Sequence, residues 1–170
     1  MTSELLDRAL IEEASKKSGL IWVRGAGASA ARALWHVWHE GAVCLVGGGP
    51  GEQPLEGLVD GGTAEVTVRS KDKGGRLVTF PATVSELPAG SAEWEAAVAE
   101  LKGKRLNAPD GEEMPARWAR ECRVLRLAPA GSLAPLPSGS LAETPVPTPA
   151  TTRRPVPAGL PKLLARRRKK

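Results

Sequence analysis

Apolar and polar positions alternate most clearly over residues 64–84. Ala64, Val66 and Val68 alternate with Glu65, Thr67 and Arg69. After the loop Ser70-Lys71-Asp72-Lys73-Gly74-Gly75, Val78, Phe80, Ala82 and Val84 alternate with Leu77, Thr79, Pro81 and Thr83. A period of two with one apolar face predicts an antiparallel hairpin. Pro81 cannot donate to a ladder, which places an edge or a bulge there. A different spacing governs residues 3–18, where Leu5, Leu6, Ala9, Leu10, Glu13 and Ala14 recur as on a helix, with Ser3 as N-cap and Gly19 just past the end. Ser91 caps a second predicted helix. Trp94, Ala97, Val98 and Leu101 form its apolar stripe, Glu93 and Glu95 sit in its first turn, and Lys102, Lys104 and Arg105 in its last.

The remaining elements are shorter. Leu20–Arg24 reads as a strand and Gly25–Ser29 as a small-residue loop. Arg32–His39, rich in aromatic and β-branched residues, reads as one strand that turns at Glu40-Gly41 into a partner at Ala42–Val46. Gly47–Gly51 breaks regular structure, and Gln53–Leu58 is expected to make one helical turn. A polar loop with Pro109 and Pro115 leads to a last strand, Glu121–Leu127. The fold class expected is α+β, mostly antiparallel: a six-stranded closed or half-closed barrel with an N-terminal helix and a second helix before the last strand.

Charge divides the chain. Residues 1–127 carry 16 basic and 18 acidic side chains, whereas residues 128–170 carry eight basic residues and one acidic residue, Glu143. The basic pI of 9.6 therefore belongs to the end of the chain and not to a nucleic-acid-gripping body. Nine of the 43 residues from 128 onward are proline and none is aromatic, so 1–127 is read as the domain and 128–170 as a disordered tail. Its final run, Arg166-Arg167-Arg168-Lys169-Lys170, is suited to weak contact with anionic lipid or nucleic acid. No apolar run suffices for a membrane span, and the N-terminus lacks a signal-peptide pattern. Cys44 and Cys122 are read as free thiols in a reducing cytoplasm.

Candidate chemistry is sparse. Gly25-Ala26-Gly27-Ala28-Ser29-Ala30 matches a dinucleotide fingerprint, but hairpins follow it instead of a βαβ unit. Gly47–Gly51 runs into Glu52-Gln53 where a phosphate loop would carry Lys-Ser/Thr. His36 and His39 face opposite sides of a strand and cannot chelate one metal together. Five Trp, one Phe and no Tyr make Trp35 and Trp38, flanking His36, notable. They either fill the core or form an aromatic face for a flat heterocycle. Arg69, Ser70, Lys71 and Lys73 either grip a phosphate or form a solvated turn.

Three phrases carry a resemblance: Arg32-Ala33-Leu34-Trp35-His36-Val37-Trp38, Glu52-Gln53-Pro54-Leu55-Glu56-Gly57-Leu58 and Val66-Thr67-Val68-Arg69-Ser70-Lys71-Asp72. With the element order, they resemble the FMN-binding split barrels related to pyridoxamine 5′-phosphate oxidase, and more narrowly an actinobacterial-type branch. The resemblance covers about residues 5–127. It implies a homodimeric flavoprotein of the oxidoreductase type holding FMN or a deazaflavin in the dimer groove. Trp35, His36 and Trp38 would line the ring, and Arg32, Gln53, Arg69, Ser70 and Lys71 would supply the polar contacts. No residue stands out as a catalytic acid or base. The family's phosphate segment carries a lysine and an asparagine where this chain, aligned on Leu58, has Pro54 and Gly57, with Glu52 adding a negative charge. That departure motivates the alternative of a cofactor-less binding or interaction module on the same barrel.

Overall fold

The computed structural model describes residues 2–72 and 75–135. The elements are α1 (Thr2–Lys17), β1 (Leu20–Gly25), β2 (Arg32–Trp35), β3 (Val37–His39), β4 (Ala42–Gly47), β5 (Thr63–Arg69), β6 (Arg76–Glu86), α2 (Ala92–Lys104), α3 (Met114–Glu121) and β7 (Arg123–Pro129). All strand pairs are antiparallel, in the order β2-β1-β5-β6-β7-β4-β3. The sheet curls around an apolar interior built from Ile21, Val23, Leu34, Leu45, Val66, Val68, Phe80, Val84, Leu125 and Leu127. A second cluster, on the other side of the strands, packs Val37, Cys44, Val46 and Val124 against Trp94, Val98 and Leu101 of α2 and Met114 and Trp118 of α3.

The sheet has seven strands, not six, because the expected strand Arg32–His39 is two. β2 pairs with β1 and β3 pairs with β4, so the chain changes partners at His36. The His36 ring is buried, and its Nε2 meets the Ser15 carbonyl of α1 at 2.8 Å. The two outermost strands of the sheet are thus one continuous stretch of chain. Alternation of faces nonetheless survives the break. Leu34 and Trp38 pack on the barrel interior, whereas Trp35 and Val37 pack toward α2 and α3.

Other expectations needed correction. The 107–120 region is not all loop: Gly111–Glu113 is a short 3-10 turn and Met114–Glu121 is helical. Pro115 sits in its first turn, where a missing N–H costs nothing, and Met114 and Trp118 anchor it one turn apart. No helical turn forms over Gln53–Leu58; Gly57 adopts φ +72 in a tight turn there. The buried face of α1 differs from the expected stripe, of which Ala14 packs on the core. Ile11, Ser15 and the following Ser18 are buried, while Leu5 (68% exposed), Leu6 (60%) and Leu10 face outward.

Pro81 lies in a central strand, where the β6–β7 ladder stops at Ala82 opposite Pro129. Its carbonyl accepts the Ala130 N–H at 2.8 Å. Beyond β7, Ala134 N–H reaches Thr79 O, Leu133 packs on the barrel core and its N–H bonds Asp7, and Arg76 donates to Pro135 O. The described chain thus continues in contact with the barrel past Leu127. Lys73 and the basic run 166–170 lie outside the described residues. No helix among the described residues is long and apolar enough to cross a membrane.

Candidate functional site

A groove of about 480 Å³ opens where the α1–β1 turn, the end of β2, the β5–β6 loop and the end of α2 meet. Lys16, Lys17, Lys71, Lys104 and Arg105 line it, with Trp35, His36, Leu20 and Leu106, and no acidic side chain among them. Lys16 and Lys17 are paired along α1 with Glu12 and Glu13. Lys71 and Lys104 form no ion pair among the described residues. Cations from three segments around an aromatic wall make a site for a flat anion.

His36 sets the polarity of the lining. Its Nε2 faces a carbonyl, which only accepts, so Nε2 carries the proton and Nδ1 is a bare acceptor. Nδ1 is buried and has no hydrogen-bond partner among the described residues. Burial pushes the imidazole down to about 4; the Ser15 bond works against this, and Lys104 adds to it. His36 is therefore neutral across the physiological range.

Arg105 closes the other side. Its guanidinium stands 6.0 Å from the Trp35 ring centre. Arg105 is tied to Glu52, whose side chain is only 1% exposed. The Glu52 carboxylate also accepts from Arg117 Nη2 at 3.1 Å and Trp118 Nε1 at 3.2 Å. Arg117 in turn holds Asp110, whose carboxyl lies below its usual range because of that bond. The negative charge that the sequence places beside a supposed phosphate is thus turned inward and neutralised.

Of the residues singled out from sequence, Trp35, His36 and Lys71 meet in this groove. Ser70, next to Lys71, accepts the Asp72 N–H in the same turn. Arg69 leaves for the outer face of β1, its guanidinium 4.6 Å over Trp22. Trp38 packs on the barrel interior. Arg32 pairs with Glu56 at 2.6 Å and lines a separate hollow of about 500 Å³ under the 26–31 loop. Gln53 is consumed structurally: its amide bonds the Trp35 N–H and C=O and the Val46 C=O. From sequence, Lys104 and Arg105 are only helix-dipole partners, and Lys16 and Lys17 are not singled out at all. Their clustering at element termini beside a tryptophan was the available signal.

No protein-family model matches the chain, and no curated protein matches it. Among solved structures, the HutZ heme storage protein from Vibrio cholerae is similar with a TM-score of 0.53 at 16% identity, over 73% of this chain and 90% of that one. A conserved hypothetical protein from Mycobacterium tuberculosis gives 0.50 at 13% identity, over 85% and 94%. An FAD and heme binding protein from Mycobacterium smegmatis gives 0.45 at 13% identity, over 93% of each chain. At such identities the likeness is one of fold, and the chain shares its curled antiparallel barrel with HutZ and the Mycobacterium tuberculosis protein.

Proposed function

We propose that this chain is a split-barrel flavoprotein that binds FMN or a deazaflavin in the groove beside Trp35 and works as an oxidoreductase. One observation carries the reading: an aromatic wall and five cations line one groove with no acid among them. These residues fit a flavin. Trp35 offers a face to a planar ring, and Lys71, Lys104 and Arg105 a home for a phosphate. A bound flavin would supply hydride-transfer chemistry, while the protein orients it and sets its surroundings.

Titration with FMN and with a deazaflavin tests this, read by visible absorbance, tryptophan quenching and melting temperature. Saturable quenching with a rise in melting temperature is expected. No change with either ligand overturns the reading and favours the cofactor-less module. Hemin serves as a competing arm, because HutZ is a heme storage protein; saturable binding of hemin alone would replace the flavin.

Two further parts of the proposal concern partners. The chain is a homodimer, supported by the resemblance and by the exposed Leu20 and Leu77 on β1 and β6; light scattering at the monomer mass overturns it. Residues 166–170 contact anionic lipid or nucleic acid, which is overturned if deletion of 153–170 leaves retention on anionic vesicles and on DNA unchanged.

A further inference from the structure

We infer that Glu52 is a positioning residue for the groove: it holds Arg105 against the Trp35 wall, and through Arg105 it sets the preference for a phosphate-bearing ligand over its neutral counterpart. The inference rests on the groove being the flavin site. It assigns a role to the negative charge that this chain carries beside the positions, Pro54 and Gly57, where it departs from the family pattern.

Arg105 follows the last residue of α2, where its backbone N–H still bonds Leu101 O and Lys102 O. Its side chain would otherwise be free to swing. Three tethers stop it. Nε donates to Glu52 at 3.2 Å, Nη1 donates to Leu106 O at 2.6 Å, and Nη2 approaches Gly51 O at 3.4 Å. A guanidinium has five N–H donors, so two remain. They belong to a half-buried group, fixed beside an aromatic ring, that lines the groove together with Lys71 and Lys104.

Glu52 is fixed just as firmly. Arg117 and the Trp118 indole also hold it, and the Trp118 ring centre lies 6.5 Å from that of Trp35, the planes tilted by 40°. The wall and the cation therefore share one buried anchor. A positioned planar fork binds a phosphate with less ordering cost than a mobile lysine, and it does nothing for a ligand lacking the phosphate. The selectivity between the two ligands thus reports the anchor separately from the wall.

The test measures dissociation constants for FMN and riboflavin in wild type, Glu52→Gln and Arg105→Lys, with melting temperatures alongside. Wild type is expected to bind FMN more tightly than riboflavin. Both variants should weaken FMN by about tenfold or more and riboflavin by less than about twofold, the size of one charge-assisted contact. If Glu52→Gln does not fold, Arg105→Lys decides, because it leaves Glu52 with Arg117 and Trp118. An unchanged FMN-to-riboflavin ratio in a folded variant overturns the inference and leaves the flavin site standing. Failure of wild type to bind either ligand overturns both.

Discussion

Gln53 and Trp35 exchange two hydrogen bonds of 2.9 Å, the Gln53 amide standing where a neighbouring strand would be. The same amide donates to Val46 O at 3.1 Å, so one side chain joins β2 to β4 where no backbone ladder does. Gln53→Ala removes all three bonds and leaves half-buried backbone groups unpaired. It should destabilise the fold by about 2 kcal/mol or more in urea denaturation. Gln53→Glu should also destabilise, since a carboxylate would face two carbonyls. Stability equal to wild type in both variants would deny Gln53 this role.

His36 makes folding depend on pH in a defined window. Its folded value of about 4 lies below its ordinary 6.5, so the unfolded chain takes up a proton that the folded chain refuses. The His36 contribution is whole above pH ~6.5, falls as pH drops toward about 4, and is constant below that, a loss of about 3 kcal/mol. Asp110 and Glu112, lowered by Arg117 and Lys102, act in a separate window: their contributions are present above the ordinary carboxylate values and are lost in more acid solution. Urea titrations at pH 7, 5.5 and 4 should show the first loss in wild type and its absence in His36→Gln.

Two glycines should respond oppositely to alanine. A Cβ on Gly47 would overlap the Gln53 carbonyl and press on Leu55, so Gly47→Ala should cost about 2 kcal/mol or more, or prevent folding. Gly19 meets nothing within 4 Å and has no left-handed φ, so Gly19→Ala should leave the melting temperature within a few degrees. Equal melting temperatures for the two variants would contradict the packing at Gly47.

The two thiols should be chemically distinct. Burial pushes Cys44 up to about 11, and Cys122, half-buried and raised mainly by desolvation, remains the accessible one. Alkylation of the native protein followed by mass mapping should label Cys122 first and Cys44 only on unfolding. Preferential native labelling of Cys44 would contradict the position of β4.

Much of the barrel was legible because β1, β5 and most of β6 have one wetter face, whereas β4 is buried on both. The 64–84 hairpin and the Ser91-capped helix, whose hydroxyl accepts the Trp94 N–H at 3.2 Å, follow from alternation and capping alone. Other features depended on tertiary partners. At the break, His36 meets the carbonyl of Ser15, 21 residues earlier, a partner that no local pattern shows. The α1 face is set by what lies beneath it, so Ser15 is buried and Leu5 is not. α3 was missed because two anchors in eight residues give too little periodicity. The groove was half legible. Trp35, His36 and Lys71 were identifiable, whereas Arg105 depends on a buried carboxylate whose partners are 53 to 66 residues away.

A curled sheet whose first and last members are consecutive in sequence has consequences for how the molecule meets its own kind. At Trp35 the outward backbone groups are already taken by Gln53, and the last member spans only three residues, in contact with α1 and α2. Little open ladder is left for a stray chain to extend, so self-association should proceed by side-chain faces and not by strand recruitment, the route to templated fibrils.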